Sequence, residues 1–151
     1  MIQKYSNIKI LLVEDEAQFL DSMSYSLRRS GFAVYTATTC NNAIEIISEC
    51  KLKKDPVDLL ITDIQLNEGK NGEELIQHVK SSGDKIKILI ITGYSDEELM
   101  RCLLKTGCSE FLKKPFTNKI FIQKIHNLLK QNNNKNKKIF SVKNKLSARQ
   151  K

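Results

Sequence analysis

Side chains that could take part in chemistry stand at the ends of four apolar segments of this sequence. Glu14 and Asp15 follow the first segment, Asp63 follows the second, Thr92 ends the third, and Lys114 comes just after the last. Carboxylates gathered in one place repel one another unless a cation lies between them, and Mg²⁺ binds one or two carboxylates together with water and phosphate oxygens. A carboxylate nucleophile, a divalent ion and an ammonium group are what transfer of a phosphoryl group to Asp requires. The residues therefore predict an aspartyl phosphate site, provided that the four segments end at the same place.

Strand-like and helix-like segments alternate five times along the first 130 residues. The spacing of apolar residues predicts strands over 9–13, 32–37, 59–62, 86–92 and 110–112. A helix follows each strand. The first helix ends at Gly31, and the fourth begins with a capping box at 95–98 and ends at Gly107. The apolar faces of the five helices are Leu20, Met23 and Leu27; Ala43, Ile44 and Ile47; Leu75, Ile76 and Val79; Leu99, Cys102 and Leu103; and Phe121, Ile122, Ile125, Leu128 and Leu129.

The first, third and fourth predicted strands are apolar on consecutive residues, which indicates burial on both faces. A parallel sheet with helices on each side satisfies that requirement, and right-handed crossovers then give an open, doubly wound α/β fold. In such a sheet the ligand site lies beyond the carboxyl ends of the strands. The candidate side chains named above stand at those ends.

Four motifs resemble the receiver domain of bacterial two-component response regulators, of the chemotaxis-regulator type. They are Leu-Leu-Val-Glu-Asp-Glu at 11–16, Asp-Leu-Leu-Ile-Thr-Asp at 58–63, Ile-Ile-Thr-Gly at 90–93 and Lys-Pro-Phe at 114–116. Each motif alone is weak, but the four in this order at these strand ends are highly specific. The resemblance covers residues 8 to about 130. It implies a flavodoxin-like (βα)₅ fold with strand order 2-1-3-4-5.

The resemblance also implies a role for each residue of the predicted site. Asp63 would be the phosphoacceptor, Asp15 a direct ligand of Mg²⁺ or Mn²⁺, and Glu14 an acid that acts through metal-bound water. The backbone carbonyl of Gln65 would be a further metal ligand, and Lys114 would pair with the phosphoryl group. A histidine kinase or phosphotransfer protein would supply that group, so that the chain is an acceptor that can also lose its phosphoryl group, and not a turnover enzyme.

Further residues match the switch of the same family. Thr92 and Phe111 match the hydroxyl and the aromatic ring that move together, and the family's usual output surface is formed by the fourth helix, the fifth strand and the fifth helix. Gly93 would leave space for the phosphoryl group, and the peptide bond before Pro115 is expected to be cis. Gln65 and Tyr94 stand where the family tunes the lifetime of the phosphoryl group.

The sequence departs from the family pattern in two places. The segment from Asp63 to Gly72 lacks a Pro four residues after the acceptor, and it is one residue longer than is common. Phe111 has no hydroxyl where Tyr is frequent, so its ring needs no hydrogen-bond partner when it is buried. The first departure leaves the conformation of that loop open, and the lifetime of the phosphoryl group is open as well.

Charge and composition divide the chain near residue 130. The 151 residues carry a net charge of +8, but residues 131–151 hold seven basic side chains and no acid, which leaves the first 130 residues at +1. The basic segment begins with a polar, Asn-rich run that is typical of disordered tails or linkers. The apolar segments are far shorter than the roughly 20 residues of a membrane span, and we expect a cytoplasmic protein. The four cysteines show no metal-binding or redox spacing and are expected to be buried thiols.

Two other functions are compatible with parts of this sequence. A haloacid-dehalogenase-type phosphatase also uses an Asp nucleophile with Mg²⁺, but it needs a second Asp two residues later as general acid, and Gln65 stands there. A nucleic-acid-binding protein would act through the basic segment, in which residues 146–150 faintly resemble the opening of a helix-turn-helix domain. The chain is thus either a stand-alone receiver with a basic tail or the receiver part of a DNA-binding transcriptional regulator.

Overall fold

A five-stranded parallel sheet lies at the centre of the computed structural model, which describes residues 5–66 and 71–131. The strand order is β2-β1-β3-β4-β5, as predicted. The elements of the sheet and the helices between its strands are β1 (Lys9–Val13), α1 (Ala17–Arg29), β2 (Ala33–Ala37), α2 (Cys40–Leu52), β3 (Leu59–Asp63), α3 (Gly72–Ser81), β4 (Lys87–Thr92), α4 (Asp96–Thr106) and β5 (Phe111–Lys113). A second compact unit begins at Thr117. Its described part is the helix α5, 118–131, with Phe121, Ile125 and Leu128 buried on one face.

The register of the sheet brings the carboxyl ends of its central strands together. Val13 of β1 pairs with Thr62 of β3, so Glu14 comes beside Asp63 at the same edge. On the other side of β3, Asp63 pairs with Ile91 of β4. Thr92, the last residue of β4, then pairs with Lys113 of β5. The sheet therefore delivers the predicted acids, hydroxyl and amine to one edge.

Both faces of the central strands are buried, which is the reason that these strands are apolar on consecutive residues. Residues 10–13 and 59–61 have no measurable exposure. Leu11 and Leu60 pack in one core cluster with residues of α2 and α3, including Ile47 and Leu75. The alternate residues of these strands face the other way, and α1 packs against β1 and β2 with Leu20, Met23 and Leu27 buried.

Local sequence explains where the helices begin and end. Ser95 and Glu98 form the predicted capping box at the start of α4, in which the Ser95 Oγ accepts from the Glu98 amide at 3.3 Å and the Ser95 amide donates to Glu98 at 3.1 Å. Asn71 caps α3 by accepting from the Glu74 amide at 3.1 Å. At the other end of α4, Gly107 adopts a left-handed conformation with φ of 71°, as the sequence predicts for a helix stop.

Three side chains of α3 contact the last turn of α4. Lys105 donates from its Nζ to Glu73 at 3.0 Å, and its backbone carbonyl accepts from Gln77 Nε2 at 3.2 Å. One residue later, the carbonyl of Thr106 accepts from the Lys80 ammonium at 2.7 Å. Glu73, Gln77 and Lys80 lie on one face of α3 because they are spaced by four and three residues. We name these three residues the α3 clamp.

Strand boundaries differ slightly from those predicted. Strand β5 covers Phe111–Lys113 where the sequence predicted 110–112, because Lys113 has a partner in Thr92 of the parallel ladder. Phe32 and Ile86 precede β2 and β4, whereas Asp63 itself belongs to β3. All four cysteines are buried and none of them forms a disulfide, as expected. Within the described residues no helix is long and apolar enough to cross a membrane. Gln131, the first residue of the basic segment, is the last described residue of α5. The rest of the Asn-rich run and of the basic segment, and residues 67–70 of the loop after Asp63, lie outside the described residues.

Candidate functional site

Lys114 joins the two carboxylates at the edge of the sheet. Its Nζ donates to Asp63 Oδ2 at 2.6 Å and to Glu14 Oε2 at 3.0 Å. Both carboxylate side chains are nearly inaccessible to solvent, whereas the Lys114 side chain is 25% exposed. Glu14 is 100 residues distant from Lys114 in sequence, so this ion-paired cluster exists only because the strands end together.

Backbone amides hold the second oxygen of each carboxylate. The amide of Gln65 donates to Asp63 Oδ1 at 2.9 Å, and the amide of Glu16 donates to Glu14 Oε1 at 3.2 Å. Each of these donors lies two residues after the acid that it contacts, in the chain leaving the strand. The backbone that follows each strand therefore fixes the orientation of both carboxylates.

Burial makes the charged form of Glu14 less favourable than it would be in water. Burial is the largest influence and raises the pKa of Glu14 from its ordinary value of 4.5 to about 7, with Asp63 adding to the rise and Lys114 opposing it. For Lys114 itself, burial lowers the pKa, but the hydrogen bonds to Asp63 and Glu14 outweigh it and the net direction is upward. The Lys114 ammonium therefore offsets only part of the cost of burying the Glu14 charge, and a further cation would offset more of it.

The donor set of this edge fits a divalent oxygen-liganded ion. Glu14 and Asp63 offer hard carboxylate oxygens, and half-buried Asp15 follows directly after Glu14. Over residues 5–66 and 71–131, no group of three or more His, Cys, Asp or Glu side chains is arranged to hold a metal ion. Mg²⁺ does not need three such side chains, because it typically uses one or two carboxylates and completes its octahedron with other oxygens.

Thr92 and Phe111 occupy contrasting environments. The Thr92 side chain is fully buried, and its Oγ1 accepts from the amide of Tyr94 at 3.0 Å. The ring of Phe111, by contrast, is 37% exposed. The carbonyl of Thr92 accepts from the amide of Lys114 at 2.7 Å, which ties the end of β4 to the residue that pairs with Asp63. The peptide bond between Lys114 and Pro115 is cis, as expected.

Two flanking residues and a glycine complete the set that the sequence predicts around the acceptor. Gln65 and Tyr94, which the sequence places beside the acceptor, line a cavity of about 440 Å³ together with residues of α3 and α4. A Cβ added to Gly93 would meet nothing within 4 Å, in agreement with the space expected there.

Gly72 is a residue of the site that sequence reasoning missed. A Cβ at this position would lie 2.1 Å from the carbonyl oxygen of Asp63 and 2.8 Å from the Cα of Ile64. The Gly72 amide donates to the carbonyl of Ile64 at 3.0 Å, so the first turn of α3 lies directly against the backbone that carries the acceptor. The signal available in the sequence was a glycine at the first position of a helix, directly after the capping Asn71.

Residues 10–126, more than three quarters of the chain, match the family described as the response regulator receiver domain. The chain belongs to this family. The predicted family and fold are both confirmed.

Similar proteins are found among both sequences and solved structures. The receiver is 30% identical over 125 residues to a probable transcriptional regulatory protein of Picosynechococcus sp., covering 82% of this chain and 49% of that protein. It is 27% identical over 121 residues to a cyclic di-GMP phosphodiesterase of Thermotoga maritima, covering 80% of this chain and 31% of that protein. The chain thus spans 31% and 49% of the length of these two relatives. A CheY-like receiver domain protein of Methanospirillum hungatei JF-1 has 25% identity and a TM-score of 0.73, with 86% of this chain and 99% of that one covered.

Proposed function

We propose that Asp63 of this receiver accepts a phosphoryl group from the phosphohistidine of a histidine kinase or phosphotransfer protein. The observation that carries the proposal is the contact of one ammonium group, Lys114 Nζ, with both Asp63 and Glu14 at the carboxyl ends of the strands. A buried nucleophilic carboxylate with its second oxygen fixed by the Gln65 amide suits in-line attack on phosphorus.

The transfer forms one bond and breaks another. A carboxylate oxygen of Asp63 attacks phosphorus, the phosphorus–nitrogen bond to the donor histidine breaks, and the imidazole leaves with the electron pair. The negative charge moves from the Asp63 carboxylate to the phosphoryl oxygens. The Lys114 ammonium then donates charged hydrogen bonds to those oxygens. Mg²⁺, or Mn²⁺, would be held by Asp15, Asp63 and the carbonyl of Gln65, with Glu14 acting through water. The bound ion would neutralise part of the negative charge of the phosphoryl group.

We further propose that phosphorylation is communicated through Thr92. Its hydroxyl, now engaged with the Tyr94 amide, moves to a phosphoryl oxygen, and the exposed ring of Phe111 turns inward into the space that is vacated. That movement alters the surface of α4 and β5, where output partners dock. Gln65 and Tyr94 line the adjoining cavity and set how readily water reaches the phosphoryl group.

Intact-mass measurement after incubation with Mg²⁺ and acetyl phosphate tests the acceptor. We expect the parent protein to gain one phosphoryl group and Asp63→Asn to gain none, because the variant lacks the nucleophile while changing little volume. Asp21→Asn is the matched control, since Asp21 is an exposed acid on α1, and it should be modified like the parent. Phosphate incorporation that survives in Asp63→Asn would overturn the assignment.

Similarity to the probable transcriptional regulatory protein of Picosynechococcus favours a second candidate, in which the receiver belongs to a transcriptional regulator. The seven basic side chains of 131–151 would then contact DNA phosphates. Binding of the full chain to duplex DNA at rising salt tests this candidate. Affinity that falls steeply with salt indicates phosphate contacts from the basic segment, and an absence of binding at low salt shows that the basic segment does not bind DNA by itself.

A further inference from the structure

The ammonium group of Lys114 has an aromatic neighbour as well as two acidic ones. Its Nζ lies 4.6 Å from the centroid of the Phe19 ring, over the ring face. Aromatic faces carry a partial negative charge, so a cation in this position is attracted to the ring. Together with Asp63 at 2.6 Å and Glu14 at 3.0 Å, the ring is the third group that fixes the position of this ammonium.

Phe19 is itself held in place by its surroundings. It is the third residue of α1, and its side chain is half-buried. Helix α1 begins directly after the acidic residues that follow β1. Its ring also contacts that of Phe116 with centroids 5.8 Å apart and planes tilted by 53°. Phe116 lies two residues after Lys114, so the ring pair connects the first turn of α1 to the chain that carries the lysine.

Phosphoryl transfer changes Asp63 covalently, whereas it leaves the ring of Phe19 unchanged. When Asp63 becomes an acyl phosphate, the oxygen that attacked phosphorus loses its charge and the attraction of Lys114 moves to the phosphoryl group. A lysine side chain has a flexible four-carbon stem, and holding its head in one place has an entropic cost. A ring that contacts the ammonium before and after transfer lowers that cost throughout the reaction.

We propose, on the basis of the function proposed above, that Phe19 is a positioning residue for phosphoryl transfer. Its ring holds the Lys114 ammonium where that group meets first the Asp63 carboxylate and then the phosphoryl oxygens. Phe19 does not touch the reacting atoms, and it acts through Lys114 alone.

Two substitutions separate the effect of the ring from the effect of volume. Phe19→Leu and Phe19→Met keep an apolar side chain but remove the aromatic face, whereas Phe19→Tyr keeps the face. Tyr25→Leu is the matched control, because it removes an aromatic ring that is 62% exposed on the same helix. Phosphorylation of the full-length variants by acetyl phosphate with Mg²⁺ is followed by intact mass over a range of donor concentrations.

We expect Phe19→Leu and Phe19→Met to be phosphorylated about fivefold more slowly at saturating donor, the size of effect typical of a partly shielded cation–π contact. Phe19→Tyr and Tyr25→Leu should match the parent. Proton chemical shifts of the Lys114 Cε methylene, identified by comparison with Lys114→Arg, give an independent readout. The Phe19 ring should move these signals upfield in the parent and in Phe19→Tyr, and the upfield shift should disappear in the two variants without a ring.

The proposal is overturned if Phe19→Leu and Phe19→Met accept phosphate at the parent rate, or if the parent Lys114 methylene signals show no upfield shift. A parent protein that takes up no phosphate at all would overturn the proposed function, and the inference with it. A parent that is phosphorylated, with unaffected Phe19 variants, overturns the inference alone.

Discussion

The raised pKa of Glu14 predicts an unusual dependence of stability on pH in the metal-free protein. Its pKa of about 7 in the folded state exceeds the ordinary value of 4.5, so between these two pH values the folded state binds more protons than the unfolded state. Stability must then fall as the pH rises through this interval, and above pH 7 the loss is complete. At about 1.4 kcal/mol per pKa unit, the loss attributable to Glu14 amounts to about 3 kcal/mol.

Substitution of Glu14 by Gln removes this group while keeping its shape and leaving Asp63 as the partner of Lys114. The free energy of unfolding is measured by urea denaturation with EDTA from pH 4.5 to pH 8 for the parent and for Glu14→Gln. We expect the stability of the variant relative to the parent to increase by up to about 3 kcal/mol across this range. Glu16→Gln is the control, because Glu16 is exposed and its side chain forms no cap on α1, and its profile should parallel that of the parent.

Parallel profiles for the parent and Glu14→Gln would refute the reasoning, since they would show that Glu14 titrates alike in the folded and unfolded states. A profile of Glu14→Gln that falls more steeply with pH than that of the parent would refute it as well, because it would mean that Lys114 outweighs burial and lowers the pKa of this acid. The comparison isolates Glu14 because every other acid is present in both proteins.

Three more predictions concern the metal, the switch and the loop. Mg²⁺ at 100 times its dissociation constant should stabilise the parent by about 2.7 kcal/mol. In thermal melts, Asp15→Asn should lose most of that gain in stability, whereas Asp21→Asn should keep it. Equal gains in both variants would exclude Asp15 as a ligand. Thr92→Ala should still accept phosphate, but its α4 amide resonances should respond to beryllofluoride much less than those of the parent, and a full response would show that the proposed switch is wrong. Gly72→Ala should lower the free energy of unfolding by about 3 kcal/mol in urea, because its Cβ meets the backbone of Asp63. Gly93→Ala, which meets nothing, should stay within about 0.5 kcal/mol of the parent, and a similar cost for both would contradict the steric argument.

Local sequence was sufficient to predict the elements that position the site. The strands are runs of apolar residues because they are buried on both faces, and charged residues appear where those apolar runs end, at Glu14, Asp63 and Lys114. The capping box at Ser95 and the stop at Gly107 depend only on neighbouring residues, and both are present in the structure. Features of this kind can be predicted because their causes lie within a few positions in the chain.

Contacts between distant residues could not be predicted in the same way. The ion pair of Glu14 with Lys114 and the ring of Phe19 over that lysine depend on how three elements meet in space. The tight approach of Gly72 to Asp63 depends on how the first turn of α3 packs against the end of β3. Periodicity gives the buried face of α3 but not which of its polar residues contact α4.

The α3 clamp has a mechanical consequence for the movement of α4. Its three contacts all fall on Lys105 and Thr106, at the end of the helix far from Thr92. A helix of 11 residues is about 16 Å long and nearly rigid, so any displacement that keeps these contacts is a rotation about its last turn. The arc travelled by a residue then grows with its distance from that pivot, and the end at Ser95 sweeps furthest. Helix α4 therefore pivots on its contacts with α3. A small displacement beside Thr92 moves Met100 about half as far as it moves Ser95.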